Sequence, residues 1–233
     1  MTDHSQKVQS IFNKIAPVYD TLNDLLSLGQ HRIWKQMTVD WSGAKLGNTC
    51  LDLCCGSGDL TYLLAKKVGK QGHVFGVDFS ANLLAMASQR SPSLIQPSAV
   101  INWVEADVLN LPFSDQAFDA VTMGYGLRNV TNIAQCLQEL YRVLKPEGKA
   151  AILDFHRPSD PGMAQLQQWY LDYLVVPAAA QFGLTEEYAY ISPSLAQFPA
   201  GAEQVKLSQK AGFAQAIHYP LAGGMMGVLV LTK

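Results

Sequence analysis

The sequence predicts an α/β fold: a mostly parallel, seven-stranded sheet with helices on both faces. Three observations predict it. From Thr49 onward, short apolar runs alternate with stretches of helical periodicity; the first run ends in a paired-glycine turn; and acidic residues stand at or near the ends of three successive runs. The chain has 233 residues, 48% of them apolar and 15% charged, which is long enough to bury a core and too apolar to stay disordered.

Val8, Ile11, Phe12 and Ile15 fall on one stripe of a helix that Pro17 ends, so residues 1–45 read as a helical lead-in or cap. The domain proper then runs over 46–233. Expected strands are 49–54, 73–78, 100–104, 118–123 and 149–155. Between them, Leu60, Leu63, Leu64 and Val68 form one helical stripe, Leu83, Leu84 and Ala87 a second, and Ile133, Leu137, Leu140, Tyr141 and Leu144 a third. Each gives a helix one face to lay on the sheet. After Phe155, the prolines and glycine at 158, 161 and 162 lead into an aromatic-rich helical insertion near 160–200, around Trp169, Tyr170 and Tyr173, that breaks the βα rhythm. A helix over 203–211 and strands at 213–219 and 228–232 then close the sheet as an antiparallel pair.

Composition excludes several functions. A formal net charge of −2 offers no broad positive field, so nucleic acid is not an expected partner. Cys50, Cys54, Cys55 and Cys136 form no C-x-x-C pair, so neither a metal site nor a disulfide framework is expected. No apolar stretch follows Met1 to suggest a secretory signal, and the greasiest segment, Leu171 to Phe182, is interrupted by Asp172 and Pro177. A cytoplasmic protein is expected.

The segment Asp52-Leu53-Cys54-Cys55-Gly56-Ser57-Gly58 sits where the first strand turns into a helix, and Asp52, Gly56, Ser57 and Gly58 are its candidate cofactor contacts. Two glycines let the backbone turn tightly and approach a ligand, but Thr61 stands where a dinucleotide fingerprint needs a third glycine, so NAD and FAD are not indicated. Asp78 lies 20 residues past Gly58, where a carboxylate can accept both hydrogens of a ribose diol. Asp107 adds an acceptor on the same edge. Acids in this order suit a ligand carrying a ribose, an adenine amine and a positive charge, and would repel a phosphate-rich one. S-adenosylmethionine meets that description, although each Asp alone would more simply cap a helix or turn. Here the chain resembles the class I S-adenosylmethionine-dependent methyltransferases.

Further segments narrow the resemblance. Ile15-Ala16-Pro17-Val18-Tyr19-Asp20, Leu26-Ser27-Leu28-Gly29-Gln30-His31-Arg32 with Trp34-Lys35, and Gly126-Leu127-Arg128-Asn129-Val130 are similar to the ubiquinone and menaquinone biosynthesis C-methyltransferase family, over nearly the whole chain. The stretch from Ala120 to Asn129 and the terminal Gly223-Gly224-Met225-Met226-Gly227 resemble its phylloquinone branch, found in oxygenic phototrophs. The resemblance implies S-adenosylmethionine as cofactor, demethylphylloquinol as substrate, with demethylmenaquinol or another prenylated quinol as the alternative, and binding positions at Ser57, Asp78, Asp107, Val108 and Gly124. At Gly124 the family usually has serine, so only a backbone contact carries over. A lipid-tailed substrate also implies transient contact with a membrane surface.

Ring-carbon methylation needs electron density on carbon, which the deprotonated quinol has and the quinone lacks. Arg128, at the end of the fourth strand, is the candidate to stabilise the phenolate, and water, Tyr19 or His156 to relay its proton, because Arg is a poor base. A structural Arg bound to an acidic residue is the simpler role for Arg128. Tyr19, His31 and Trp34 are candidates to close over the ring, or else plain packing residues of the cap; His31, Arg32 and Lys35 together could equally form a solvated face.

Overall fold

The computed structural model describes Ser27 and residues 29–90 and 99–233. The helix expected over Val8 to Ile15, and Tyr19 with it, lies outside the described residues.

Among the described residues, helix α1 (Gln30–Trp41) leads into β1 (Thr49–Leu53), α2 (Asp59–Val68), β2 (His73–Asp78), α3 (Ala81–Gln89), β3 (Val100–Glu105), β4 (Phe118–Gly124) and α4 (Ile133–Val143). Then come β5 (Leu144–Phe155), the helical insertion, and β6 (Gln215–Leu221) and β7 (Met226–Thr232). The sheet order is β3-β2-β1-β4-β5-β7-β6. The first five strands pair in parallel, while β7 is antiparallel to both β5 and β6, so the chain end wedges between β5 and the edge strand. Strand order reverses at β1/β4, the switch point at which open α/β sheets bind ligands beyond their carboxyl ends.

Apolar residues alternate with helical faces as the sequence predicts. Leu137 and Leu140 of α4 pack with Leu51, Val121 and Ile152 on one face of the sheet, and Leu60, Leu64 and Val68 of α2 pack with Val74 and Ala120 on the other. Most strand boundaries shift by a residue or two, the last two strands lying at 215–221 and 226–232 rather than 213–219 and 228–232, and two features differ more. Helix α4 stops at Val143 rather than including Leu144, and β5 begins at once, because Pro146 disfavours a helical conformation at Lys145. The insertion is one continuous helical arm with a flaw: α5 (Pro161–Tyr170), capped by the Asp160 carboxylate accepting from the Met163 amide, runs through a π turn at Leu171–Val175 into α6 (Val176–Ala180). Pro177 explains the flaw, since it removes one donor from the ladder and crowds the preceding turn. Two shorter helices, α7 (Thr185–Ala189) and α8 (Ile191–Gln197), fold back so that Leu171, Val175, Tyr188, Ile191 and Leu195 form their own core against Phe155. Helix α9 (Gly201–Lys210) returns the chain to the sheet. Among the described residues no helix is long and apolar enough to cross a membrane.

Candidate active site

A cavity opens at the carboxyl ends of β1, β2 and β4, and its lining includes Gly56, Ser57, Asp78, Asp107, Val108 and Gly124. With Asp52, which also lines it, the topology brings together seven of the eight positions expected to hold the cofactor. The turn after β1 is built around Asp78: its Oδ2 accepts the Gly56 amide at 2.9 Å and its Oδ1 accepts the Ser80 amide at 3.0 Å. One carboxylate therefore ties the glycine turn to the start of α3. A carboxylate has about four acceptor sites, so capacity remains for a ligand's hydroxyl. Gly56 holds φ +53, and a Cβ placed there would meet nothing within 4 Å, so the volume a side chain would fill is cavity instead.

Burial pushes Asp78 up from the ordinary carboxylate range to about 6, against the pull of the Gly56, Ser80 and Phe79 amides. Accepting two hydroxyl hydrogens requires the ionised form, so binding of a ribose expels the Asp78 proton. Cofactor affinity is expected to be flat above about pH 7 and to fall about tenfold per pH unit below about 6. Calorimetry between pH 4.5 and 8 measures this directly; a flat profile over the whole range would show that Asp78 takes no part in binding.

Asp107, beyond β3, accepts the Leu109 amide on Oδ1 at 2.9 Å, a turn that holds its carboxylate at the rim. Among the described residues lining the cavity the only cation is Lys35, and it is paired with Asp59, which also pairs with Arg90. Burial opposes ionisation of Asp59, but the two cations outweigh it and hold its pKa below the usual value. Lys35 lines the cavity, whereas the sequence offered it only as part of an alternative solvated face. Instead Lys35 and His31 are buried, whereas Arg32 and Ile33 face solvent. The signal was present but ambiguous, because a Lys whose partner is 24 positions away shows no local pairing.

Two expected cofactor positions act differently. Asp52 reaches the cavity floor, but it is fully buried and its oxygens are occupied by the hydroxyls of Thr61 at 2.6 Å and Thr122 at 2.8 Å. It pins α2 and β4 to β1, and burial drives its pKa up to about 7 despite those hydrogen bonds. Gly58 is not among the lining residues. It caps α2 at φ +88, and a Cβ there would lie 2.8 Å from Trp103 and 3.3 Å from both Ala87 and Tyr62. Left-handed strain of about 1 kcal/mol and overpacking of about 1–3 kcal/mol combine in Gly58→Ala. A loss of about 2–4 kcal/mol in urea unfolding is expected; a loss below about 0.5 kcal/mol would show that the contact relaxes freely.

Arg128 sits in a turn (Leu127–Asn129) after β4 and is not a lining residue. Its Nη1 donates to Asp154 at 2.6 Å and to the Tyr125 carbonyl at 3.2 Å, its amide donates to Asp154 at 3.0 Å, and its charge lies 5.1 Å from the Phe155 ring centre. Side-chain exposures of 7% and 1% make this a buried ion pair, as the simpler sequence reading allowed. Its Nε is buried and has no partner among the described residues. His156 is not poised as a relay. Its Nε2 lies 3.1 Å from that of His218, its ring packs on Phe198, and burial lowers its pKa to about 3. Neither histidine lines the cavity.

An acid-rimmed cavity beside a glycine turn, at the switch point of a sheet in this order, defines a class I S-adenosylmethionine-dependent methyltransferase. The donor set fits that cofactor: acceptors for a ribose and an amine, space where Gly56 lacks a side chain, and no uncommitted cation to attract phosphate among the described lining residues. Solved structures share the fold, including an S-adenosylmethionine-dependent methyltransferase from Aquifex aeolicus (18% identity, TM-score 0.62, covering 91% of this chain and 97% of that one) and a putative one from Methanococcus maripaludis (20%, 0.64, 95% and 93%). The profile of the ubiE/COQ5 methyltransferase family matches residues 1–233, and the chain belongs to that family. It is 66% identical over 229 residues to the 2-phytyl-1,4-naphtoquinone methyltransferase of Nostoc punctiforme, covering 98% of this chain and 99% of that one. The chloroplastic 2-phytyl-1,4-beta-naphthoquinone methyltransferase of Arabidopsis thaliana is 52% identical over 231 residues, covering 98% and 88%. The enzyme uses S-adenosylmethionine.

Proposed function

We propose that this enzyme methylates a ring carbon of a phytylated naphthoquinol, the reduced demethylphylloquinone of phylloquinone biosynthesis. The observation that carries the proposal is the end-to-end similarity to relatives named for that ring and tail. Bound S-adenosylmethionine supplies a methyl group on a sulfonium, an excellent leaving group. The protein's task is therefore alignment and preparation of the acceptor. Asp78, Asp107 and the glycine turn hold the nucleoside, with Ser57, Val108 and the Gly124 backbone completing its walls. Water or Tyr19 takes the proton of the ring hydroxyl.

Arg128 stabilises the negative charge that develops on the ring oxygen. The support is the unsatisfied Nε, a buried donor one residue from the cavity wall at Asn129. A fixed donor in a dry site stabilises developing charge by more than it would in water. Helix α1 contributes to a cap over the ring, a role supported by Lys35 reaching the cavity from it. The insertion carries exposed Leu166, Trp169, Tyr173 and Leu174, with the Trp169 and Tyr173 rings stacked at 6.1 Å. Aromatic side chains of this kind favour the interface between water and lipid, which supports transient membrane contact where a phytyl tail resides.

The test offers short-tailed naphthoquinol, benzoquinol and tocopherol-like phenols, under reducing conditions, with cofactor carrying a labelled methyl group. Label should appear on the naphthoquinol ring carbon and scarcely on the others. Label on the benzoquinol alone, or on none, would overturn the proposal.

A further inference from the structure

We infer that the ammonium of Lys35 receives the α-carboxylate at the amino-acid end of S-adenosylmethionine, which makes a residue of helix α1 part of the cofactor site. This role is independent of which ring is methylated. Lys35 Nζ donates to Asp59, the first residue of α2, and lies 5.9 Å from the centre of the Tyr125 ring, just beyond β4. Lys35, Asp59 and Tyr125 all line the cavity, so the charged end of the lysine is the part fixed between two wall residues. With only 6% of its side chain exposed, Lys35 has lost most of its water, and a cation so placed needs anionic partners. Asp59 supplies only part of one. Its carboxylate also accepts from Arg90 Nη1, which in turn donates to the Ser57 carbonyl at 3.0 Å.

The order of the strands decides which end of the cofactor meets this cation. Asp78 closes β2 and Asp107 lies beyond β3, so the acids suited to a ribose and an adenine amine stand on one side of β1. Lys35 is held on the other side, between the helix that follows β1 and the end of β4. Sulfur leaves the ribose from its 5′ carbon, away from the diol and the base. A nucleoside seated on Asp78 and Asp107 therefore sends its sulfonium and amino-acid chain across the glycine turn toward β4. That chain ends in a carboxylate, which Asp59, Asp78 and Asp107 would all repel. Lys35 carries the one complementary side-chain charge among the described residues lining the cavity. A hydrogen bond between an ammonium and a carboxylate is roughly twice as strong as one between neutral groups. Because Lys35 belongs to α1, loading the cofactor also fastens this helix to the carboxyl edge of the sheet.

The experiment compares, by titration calorimetry, the binding of S-adenosylhomocysteine with that of its decarboxylated analogue, which keeps the nucleoside, the thioether and the amine and lacks only the carboxylate. The wild-type protein should bind S-adenosylhomocysteine about tenfold to 100-fold tighter than the analogue, the range for one hydrogen bond between charged groups. Lys35→Met should bring that ratio to within about threefold of one, by weakening S-adenosylhomocysteine and leaving the analogue nearly unchanged. Lys35→Arg, which keeps the cation, should preserve most of it. Asp59 retains Arg90 in both variants, so neither leaves that carboxylate without a cation. A wild-type ratio below about threefold overturns the inference whether or not the variants fold. A ratio unchanged in Lys35→Met, with both ligands weakened alike, also overturns it, by leaving Lys35 as a strut between α1 and α2. No acceptor enters the measurement, so its failure leaves the ring-methylation proposal standing, and a naphthoquinol that goes unmethylated leaves this one.

Discussion

Asp78→Asn is expected to weaken S-adenosylmethionine binding by about 100-fold or more. The carboxylate does two things at once: it fixes the turn through the Gly56 and Ser80 amides, and it retains acceptor capacity facing the cavity. An amide keeps the shape but offers only one oxygen, so at least one of those backbone donors or one ribose hydroxyl loses its partner. Each hydrogen bond to a charged group contributes about 1.5–3 kcal/mol, and losing two brings the effect to about 3–4 kcal/mol or more. Titration calorimetry with an unfolding control separates lost affinity from a disordered turn. Affinity within threefold of wild type would remove Asp78 from the site.

Turnover is expected to fall by about 100-fold or more in Arg128→Gln, the range seen when one preorganised donor to a developing oxyanion is removed. The single substitution has a second effect, because it leaves Asp154, 1% exposed, without its cation. Breaking a buried pair from one side costs about 3–5 kcal/mol, so lost activity alone would not distinguish chemistry from unfolding. Arg128→Gln combined with Asp154→Asn removes both charges together. That double variant should recover most of the lost stability and still bind S-adenosylmethionine normally, while turnover stays low. Full activity in the stable double variant would leave Arg128 as a structural ion pair and nothing more. A fall in cofactor affinity matching the fall in turnover would place its effect on the nucleoside rather than on the acceptor ring.

The legible parts of this protein were those encoded locally. The alternation of apolar runs with helical stripes set the order of elements because each strand and helix carries its own periodicity. The glycine turn with Asp78 and Asp107 announced a nucleoside site because these residues sit at strand ends, and parallel strands bring their ends to one edge. Gly58 and Asp52 show where that reading stops. Both belong to the motif, yet one meets Trp103 from β3 and the other spends its oxygens on Thr61 and Thr122, partners that no spacing rule connects to them. The glycine pattern is the same whether a ligand or a tryptophan occupies the space a side chain would need.

By itself the sequence determined the α/β class, the carboxyl-edge site and the kind of cofactor, since periodicity and strand-end chemistry are properties of short stretches of chain. Tertiary structure alone decided the pairing of Arg128 with Asp154, the burial of Lys35 against Asp59 and the coupling of His156 to His218. All three are contacts over tens of residues, and whether a charge or ring is spent on a neighbour or left for a ligand depends on which elements the folded sheet brings together.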